Sequence, residues 1–189
     1  GQARERGGLL ISVFDDAYNY MKNGTLLRQV INKINQDIDY NSVETRHLFG
    51  DIYEQILRDL QNAGNAGEYY TPRAVTQFAI EMVNPQLGEI VLDPACGTGG
   101  FLLAAYAYAS QDAENLTPDE KVHLRDNFVS GVELVDGTAR LAAMNMLLHG
   151  MGRADGPSPI EVRDGLTADP GRRWSVVLAN PPFGTKSSV

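Results

Sequence analysis

Three short blocks hold the residues whose types and spacing could do chemistry. The first is residues 90–103, Ile-Val-Leu-Asp-Pro-Ala-Cys-Gly-Thr-Gly-Gly-Phe-Leu-Leu. Its apolar, β-branched start suits a buried strand, and its Ala- and Leu-rich continuation through Ala109 suits a helix. Between them, Gly97, Thr98, Gly99 and Gly100 permit a tight turn and let a ligand approach the main chain closely. Strand, glycine turn and helix together make the nucleotide corner of a doubly wound α/β sheet, with Asp93 a fixed acceptor at the strand's end. The second block, Asn180-Pro181-Pro182-Phe183, follows another apolar run. Consecutive prolines have restricted φ and no N–H, so this turn is stiff and its carbonyls face a fixed direction. The third block, Glu68-Tyr69-Tyr70-Thr71-Pro72, precedes the first strand and predicts a helix start, with Thr71 as N-cap and Pro72 at the first helical position.

Each block alone also has a plainer reading: a βα turn, a rigid turn after a strand, a capped and anchored helix start. The glycines lack the G-x-G-x-x-G spacing of dinucleotide binders, and no G-x-x-x-x-G-K-[ST] is present. In combination and in this order, however, the blocks closely resemble the modification (methyltransferase) subunit of Type I restriction-modification systems. The resemblance runs over roughly residues 48–186. It implies that the stretch with Asp93, Pro94, Gly97, Thr98, Gly99 and Gly100 is the S-adenosylmethionine (AdoMet) motif. Asn180, Pro181, Pro182 and Phe183 correspond to the catalytic motif of amino-group DNA methyltransferases. Glu68 to Pro72 are assigned to the methionine end of AdoMet, and a helix N-terminus with free N–H groups suits that carboxylate. Gly131-Val132-Glu133 matches the family's Gly-x-Glu pattern, which makes Glu133 an acceptor for ribose hydroxyls where spacing alone would equally allow a solvated acid. Asp164 is either an acceptor for the exocyclic amine of the AdoMet adenine, with Leu166 packed on the ring, or simply a turn aspartate.

The activity implied is methyl transfer from AdoMet to adenine N6 in DNA. An exocyclic adenine amine is a poor nucleophile because its lone pair is delocalised into the ring. Two acceptors on the amine hydrogens, the Asn180 side-chain oxygen and the Pro181 carbonyl, would localise that pair and aim it at the methyl carbon. Oriented dipoles can stabilise the positive charge that develops, so no carboxylate is needed in place of Asn180. Phe183 offers a face for stacking a base flipped out of double-stranded DNA. Related enzymes use an Asn-Pro-Pro-aromatic turn on protein glutamines or on RNA guanine amines. A non-catalytic AdoMet-binding or assembly module is the alternative from a different class.

These blocks need elements to hold them. Apolar positions Leu10, Val13, Phe14, Ala17 and Tyr18 predict an amphipathic helix over residues 9–21. A second helix is expected from Thr25 with Leu26, Val30, Ile31 and Ile34 on its buried side. A third, over residues 42–62, carries a stripe of Leu48, Ile52, Ile56, Leu57 and Leu60. These helices form either a small bundle packed on the catalytic domain or a docking surface. Residues 61–67 read as a linker, dividing an N-terminal helical region (1–62) from a methyltransferase domain (63–189). The helix after Pro72 is expected to turn Val75, Phe78, Ala79 and Met82 inward and to stop before Asn84-Pro85. Thr117-Pro118-Asp119-Glu120 is a capping box opening a short helix. Strands are expected at 128–133, 160–162 and 174–179, with a helix over 138–149 whose core positions include Ala142, Met146 and Leu147. The fold class is therefore α/β: a Rossmann-like AdoMet-dependent methyltransferase with a parallel sheet and helices on both faces, after a small helical region. The chain ends at Val189, soon after the Asn-Pro-Pro-Phe turn, so the sheet is expected to be truncated at its C-terminus and left with an open edge.

Composition bounds the partners. The 189 residues carry 16 basic and 24 acidic side chains, a net charge of −8. Phosphate contacts dominate nucleic-acid affinity, so this balance argues against strong DNA binding by the chain itself. The resemblance implies that a specificity subunit reads the target and that a restriction subunit joins the full system. The single cysteine, Cys96, cannot form an internal disulfide, and it reads as a small packing residue rather than a catalytic thiol. His47, His123 and His149 are scattered, and no metal-ligand spacing is present. With no membrane span and no signal-peptide pattern, a cytoplasmic location is expected.

Overall fold

Among the described residues, short runs of β-branched residues followed by turns give four strands, all parallel. A computed structural model describes residues 8–14, 18–39, 42–63 and 71–181. Strand β1 (Val91–Asp93) is buried throughout, as is β2 (Val129–Glu133) up to its last residue. With β3 (Ile160–Val162) and β4 (Val176–Val177) they form a sheet of order β3-β2-β1-β4. Register places Leu92 beside Ser130 on one side and beside Val177 on the other. The chain runs outward through β2 and β3, then returns to the far side of β1. The switch point expected of a doubly wound sheet therefore lies between β1 and β4.

Among the described residues, four helices precede β1: α1 (Gly8–Val13), α2 (Gly24–Asp37), α3 (Val43–Ala63) and α4 (Arg73–Val83). Between strands run α5 (Gly100–Ala109), α6 (Pro118–Asp126) and α7 (Asp136–Leu148). Helix α5 is apolar all round and buries Phe101, Leu102, Leu103 and Ala105, which suits a helix enclosed by both sheet and α4. Helix α7 approaches the sheet through small residues, Ala139, Ala142 and Ala143, with Met146 filling the space beyond. The core gathers Ile80, Val91, Leu102, Phe128, Met146 and Met151, and Leu9 of α1 joins it. The expected capping box is formed: Thr117 accepts the Glu120 N–H, and Glu120 accepts the Thr117 N–H at 2.8 Å.

The N-terminal helices depart from the sequence pattern in instructive ways. The helix expected over 9–21 is only Gly8–Val13, and residues 18–23 are not helical. There the Asn19 side chain accepts the Met21 N–H, and Asn23 caps α2 by accepting from Thr25 and Leu26. Asx hydrogen bonds of this kind compete with helix continuation. In α2 the apolar stripe of Leu26, Val30, Ile31 and Ile34 is exposed, and the helix buries no residue. In α3, Leu48, Ile52 and Ile56 are exposed while Glu54 and Leu57 are buried; the Leu60 side chain lies outside the description. That face is selected by polar and close contacts: Glu54 pairs with Arg73, Tyr53 donates to the Leu141 carbonyl, and Gly50 lies against the His149 ring. Helix α3 continues to Ala63, so residues 61–63 are helical rather than linker.

In α4 the buried residues are Thr76 and Ile80, with Ala79 half-buried. Val75, Phe78 and Met82 point outward, Phe78 with 63% of its surface exposed. The helix is rotated by about one residue from the expected face, because Thr76 and Gly100 meet at the α4–α5 contact. Its end is as expected, with Asn84 in the left-handed region at φ 51°. The strand expected at 174–179 narrows to two residues.

Gly131 marks the tightest point of the sheet. A Cβ there would lie 2.6 Å from Ile160 Cδ1 and 2.9 Å from both Cys96 Sγ and Leu102 Cδ1. Gly131→Ala is therefore expected to destabilise the chain by about 1–3 kcal/mol through overpacking. Urea unfolding checks this, and an unchanged midpoint would contradict it.

Candidate active site

The carboxyl ends of parallel strands collect polar residues from distant parts of the chain. At the end of β1, Asp93 is 2% exposed, and its carboxylate accepts the Ala95 N–H at 3.1 Å. Burial pushes its pKa up to about 7; the charge of Glu133 adds to the rise and the Ala95 hydrogen bond opposes it. At the end of β2, Glu133 binds main chain with both oxygens. Oε2 accepts the Gly97 N–H at 3.0 Å and Oε1 the Val135 N–H at 2.9 Å. The acid is thus fastened to the glycine turn 36 residues earlier. Each oxygen keeps accepting capacity, since a carboxylate offers about four lone-pair sites.

The glycines of the turn do different work. Gly97, at φ 54°, faces open space where a Cβ would touch nothing within 4 Å. This is the glycine beside which a ligand can sit. Gly99, at φ 89°, caps α5, and a Cβ on it would meet Met146 Cε at 2.4 Å. Its smallness serves packing as well as backbone conformation. A Cβ on Gly100 would make ordinary contact with Thr76. Thr98 is buried, and its carbonyl accepts the Asn145 Nδ2–H at 2.9 Å. Asn145 was not singled out from the sequence. It is 2% exposed in the middle of α7, and its Oδ1 has no partner among the described residues. The available signal was a polar amide on the buried Ala142–Met146 face of the helix.

Cys96 lies under the turn, buried, with its thiol pKa pushed up first by burial and then by the charges of Asp93 and Glu133. That is a packing cysteine, not a nucleophile. Beyond β3, Asp164 forms the turn that was one of its two readings, accepting the Leu166 N–H at 2.8 Å. The same loop reaches the glycine turn: a Cβ on Gly165 would lie 2.8 Å from the Pro94 carbonyl oxygen. Leu166 is 95% exposed there.

Strand β4 brings Asn180 and Pro181 to the same edge. Leu178 donates its N–H to the Leu92 carbonyl at 2.9 Å, and two residues later Asn180 is half-buried. The Asn180 Nδ2–H donates to Thr71 Oγ1 at 3.0 Å across 109 residues. Thr71 does not cap the helix as expected. Pro72 is the N-cap, with no side-chain cap bond, and the helix begins at Arg73. The Val75 and Thr76 N–H groups reach back to the Pro72 carbonyl, leaving the Thr71 hydroxyl available to Asn180. Pro181 is exposed. Glu68, Tyr69, Tyr70, Pro182 and Phe183 lie outside the described residues.

Among the described residues no group of three or more His, Cys, Asp and Glu side chains could hold a metal ion. No helix among them is long and apolar enough to cross a membrane. A cavity of about 460 Å³ lies between α3, α4 and α5, lined by Glu54, Thr71, Arg73 and Tyr106 among others, away from Asp93 and Glu133.

Comparison with known proteins agrees with this geometry. A family model described as N-6 DNA Methylase matches residues 44–188. The Type I restriction enzyme EcoEI methylase subunit of Escherichia coli is 51% identical over 184 residues, 95% of this chain and 36% of that protein. A modification subunit assigned to a type I restriction enzyme of Vibrio vulnificus YJ016 superposes with a TM-score of 0.74 at 39% identity, covering 95% of this chain and 37% of the other. A chain of a type I R-M system, solved to explain complex assembly and conformational transition, gives a TM-score of 0.72 at 36% identity over 92% of this chain and 35% of the other. The chain thus spans about a third of the length of the curated relatives it matches, 36% of the EcoEI subunit.

The buried Asp93 yields a pH prediction. In the folded chain its carboxyl holds a proton up to about pH 7, against an ordinary 3.8. Between those values the folded state binds more protons than the unfolded, so stability falls as pH rises. The contribution is fully present below about pH 4 and lost through about pH 7. Asp93→Asn keeps an oxygen for the Ala95 N–H but cannot ionise. Urea unfolding from pH 4 to pH 8 should show a fall of order a few kcal/mol in the native chain that the variant lacks. Parallel pH profiles would contradict this account of Asp93.

Proposed function

Since the chain belongs to the N-6 DNA Methylase family, we propose that it transfers a methyl group from AdoMet to adenine N6 in DNA, within the modification subunit of a Type I restriction-modification system. The observation that carries the reading is the convergence of Asp93, Gly97, Glu133 and Asn180 at one carboxyl edge of the parallel sheet.

The residues present fit the cofactor. Open space at Gly97 leaves room for a ligand against the main chain. Glu133, held by two N–H groups, would offer its remaining lone pairs to ribose hydroxyls. Asp164 and Leu166 sit on the loop that meets Pro94; Asp164 would accept from the exocyclic amine of the AdoMet adenine and Leu166 would pack on the ring. Thr71 and Pro72, at the start of α4, would take the methionine end. AdoMet would supply an electrophilic methyl group on a sulfonium.

The chain's own residues prepare the acceptor. The Asn180 oxygen and the Pro181 carbonyl accept the two amine hydrogens of adenine and localise its lone pair. Phe183 would stack on the flipped base. Because both acceptors are dipoles fixed before the substrate arrives, catalysis rests on alignment and on stabilising the positive amine. A net charge of −8 fits a division of labour in which a specificity subunit holds the duplex and reads its sequence, and a restriction subunit joins the assembly.

Calorimetry with AdoMet and analysis of methylated nucleosides test this together. Glu133→Ala should weaken AdoMet binding about tenfold or more, the loss expected for a charged hydrogen-bond acceptor. Asn180→Ala should retain AdoMet affinity and lose about a hundredfold or more of N6-methyladenine formation. Methylation of protein glutamine or RNA guanine instead, or AdoMet binding with no methyl transfer by the assembled complex, would overturn the proposal.

A further inference from the structure

The two ends of an asparagine amide have nearly the same shape, so partners rather than packing decide which end faces a substrate. Asn180 has such a partner. Its Nδ2–H donates to Thr71 Oγ1 at 3.0 Å, and both residues are half-buried at the junction of α4 and β4. Thr71 Oγ1 accepts this bond, and Pro72 after it has φ −55° and caps a helix whose first-turn N–H groups return to the Pro72 carbonyl. The hydroxyl therefore has no capping duty and is free to receive Asn180.

We infer that Thr71 is a positioning residue for methyl transfer, holding the Asn180 amide in the orientation that turns its oxygen toward the adenine amine. This rests on the function proposed above and assigns Thr71 a role beside, and separable from, contact with the cofactor. With the nitrogen occupied by Thr71, Oδ1 is the end left for the substrate. Without that acceptor the amide can rotate, and in half of its orientations it presents N–H groups to an amine that already carries its own donors. Two donors facing each other repel, and the lone pair stays delocalised. The device spans 109 residues, so it also ties the α4 start to the catalytic turn. A lost helix cap would lower stability, whereas a lost orienting bond lowers the rate at saturating cofactor.

Thr71→Val replaces the hydroxyl by a methyl of similar size, and Thr71→Ser keeps the hydroxyl. In the full complex, Thr71→Val should lower the single-turnover rate of N6-methyladenine formation at saturating AdoMet by up to about a hundredfold. The loss of saturated rate should exceed any loss of AdoMet affinity, and Thr71→Ser should recover most of the lost rate. In the isolated chain, hydrogen exchange at the Asn180 side-chain amide, read by 15N NMR, should be slow in the parent and Thr71→Ser and fast in Thr71→Val. A weakened AdoMet affinity with an unchanged saturated rate would overturn the inference and leave Thr71 as a cofactor contact. An unchanged rate, or unchanged exchange at Asn180, would overturn it as well. If the parent complex forms no N6-methyladenine, the proposed function fails, and the exchange measurement still decides whether Thr71 holds the amide.

Discussion

Parallel pairing on both sides of β1 is the constraint on which the rest depends. Asp93 lies beside Gly131 of β2, and Leu92 lies beside Val177 of β4. Parallel strands end together, so the residues just past each carboxyl end meet although they are far apart in sequence. A slip of one residue in either pairing would exchange the faces of every side chain on the strand. It would carry Asp93 or Asn180 away from the shared edge. The crowding at Gly131, between Ile160, Cys96 and Leu102, holds the register where the site needs it.

The site combines acidic side chains with main-chain donors. Asp93 and Glu133 would repel each other if left alone, and the N–H groups of Ala95, Gly97 and Val135 offset this. Glu133 also ties the glycine turn to the end of β2, so the geometry of one strand–helix corner is fixed by the next strand. Asn145 and Met146 support the same turn from the side of α7. In the proposed function the Asn180–Pro181 turn uses no charge, and its contribution would come from the direction of amide and carbonyl dipoles. Rigid elements therefore matter more than reactive groups: prolines, a short paired strand, and the bond from Asn180 to Thr71.

What could be read from the sequence was mostly local. Residues 90–109 announce strand, glycine turn and helix because neighbours in sequence settle each conformation, and the structure has them as β1, the turn and α5. The Thr117 capping box is equally local. The family likeness of the three blocks identified the class of protein, and the matched family agrees. Helix faces were harder. Periodicity finds a stripe, yet which face packs is set by partners such as Arg73 for Glu54 and His149 for Gly50. In α4 a small polar residue, Thr76, is buried while Phe78 is exposed, an inversion that only the α5 contact explains. Thr71 was read as a cap because Thr-Pro before a helix favours one; its bond to Asn180 depends on β4, which no local rule reaches.

Cys96 gives the chain a built-in reporter. Its sulfur sits beneath the glycine turn, shielded from solvent, with the thiolate disfavoured by burial and by two neighbouring carboxylates. Alkylating reagents act on thiolates, so they reach this atom only when the turn opens. As the sequence contains one cysteine, any labelling reports that single location. The rate of thiol labelling thus measures the breathing of the nucleotide corner separately from global unfolding, without a probe having to be engineered.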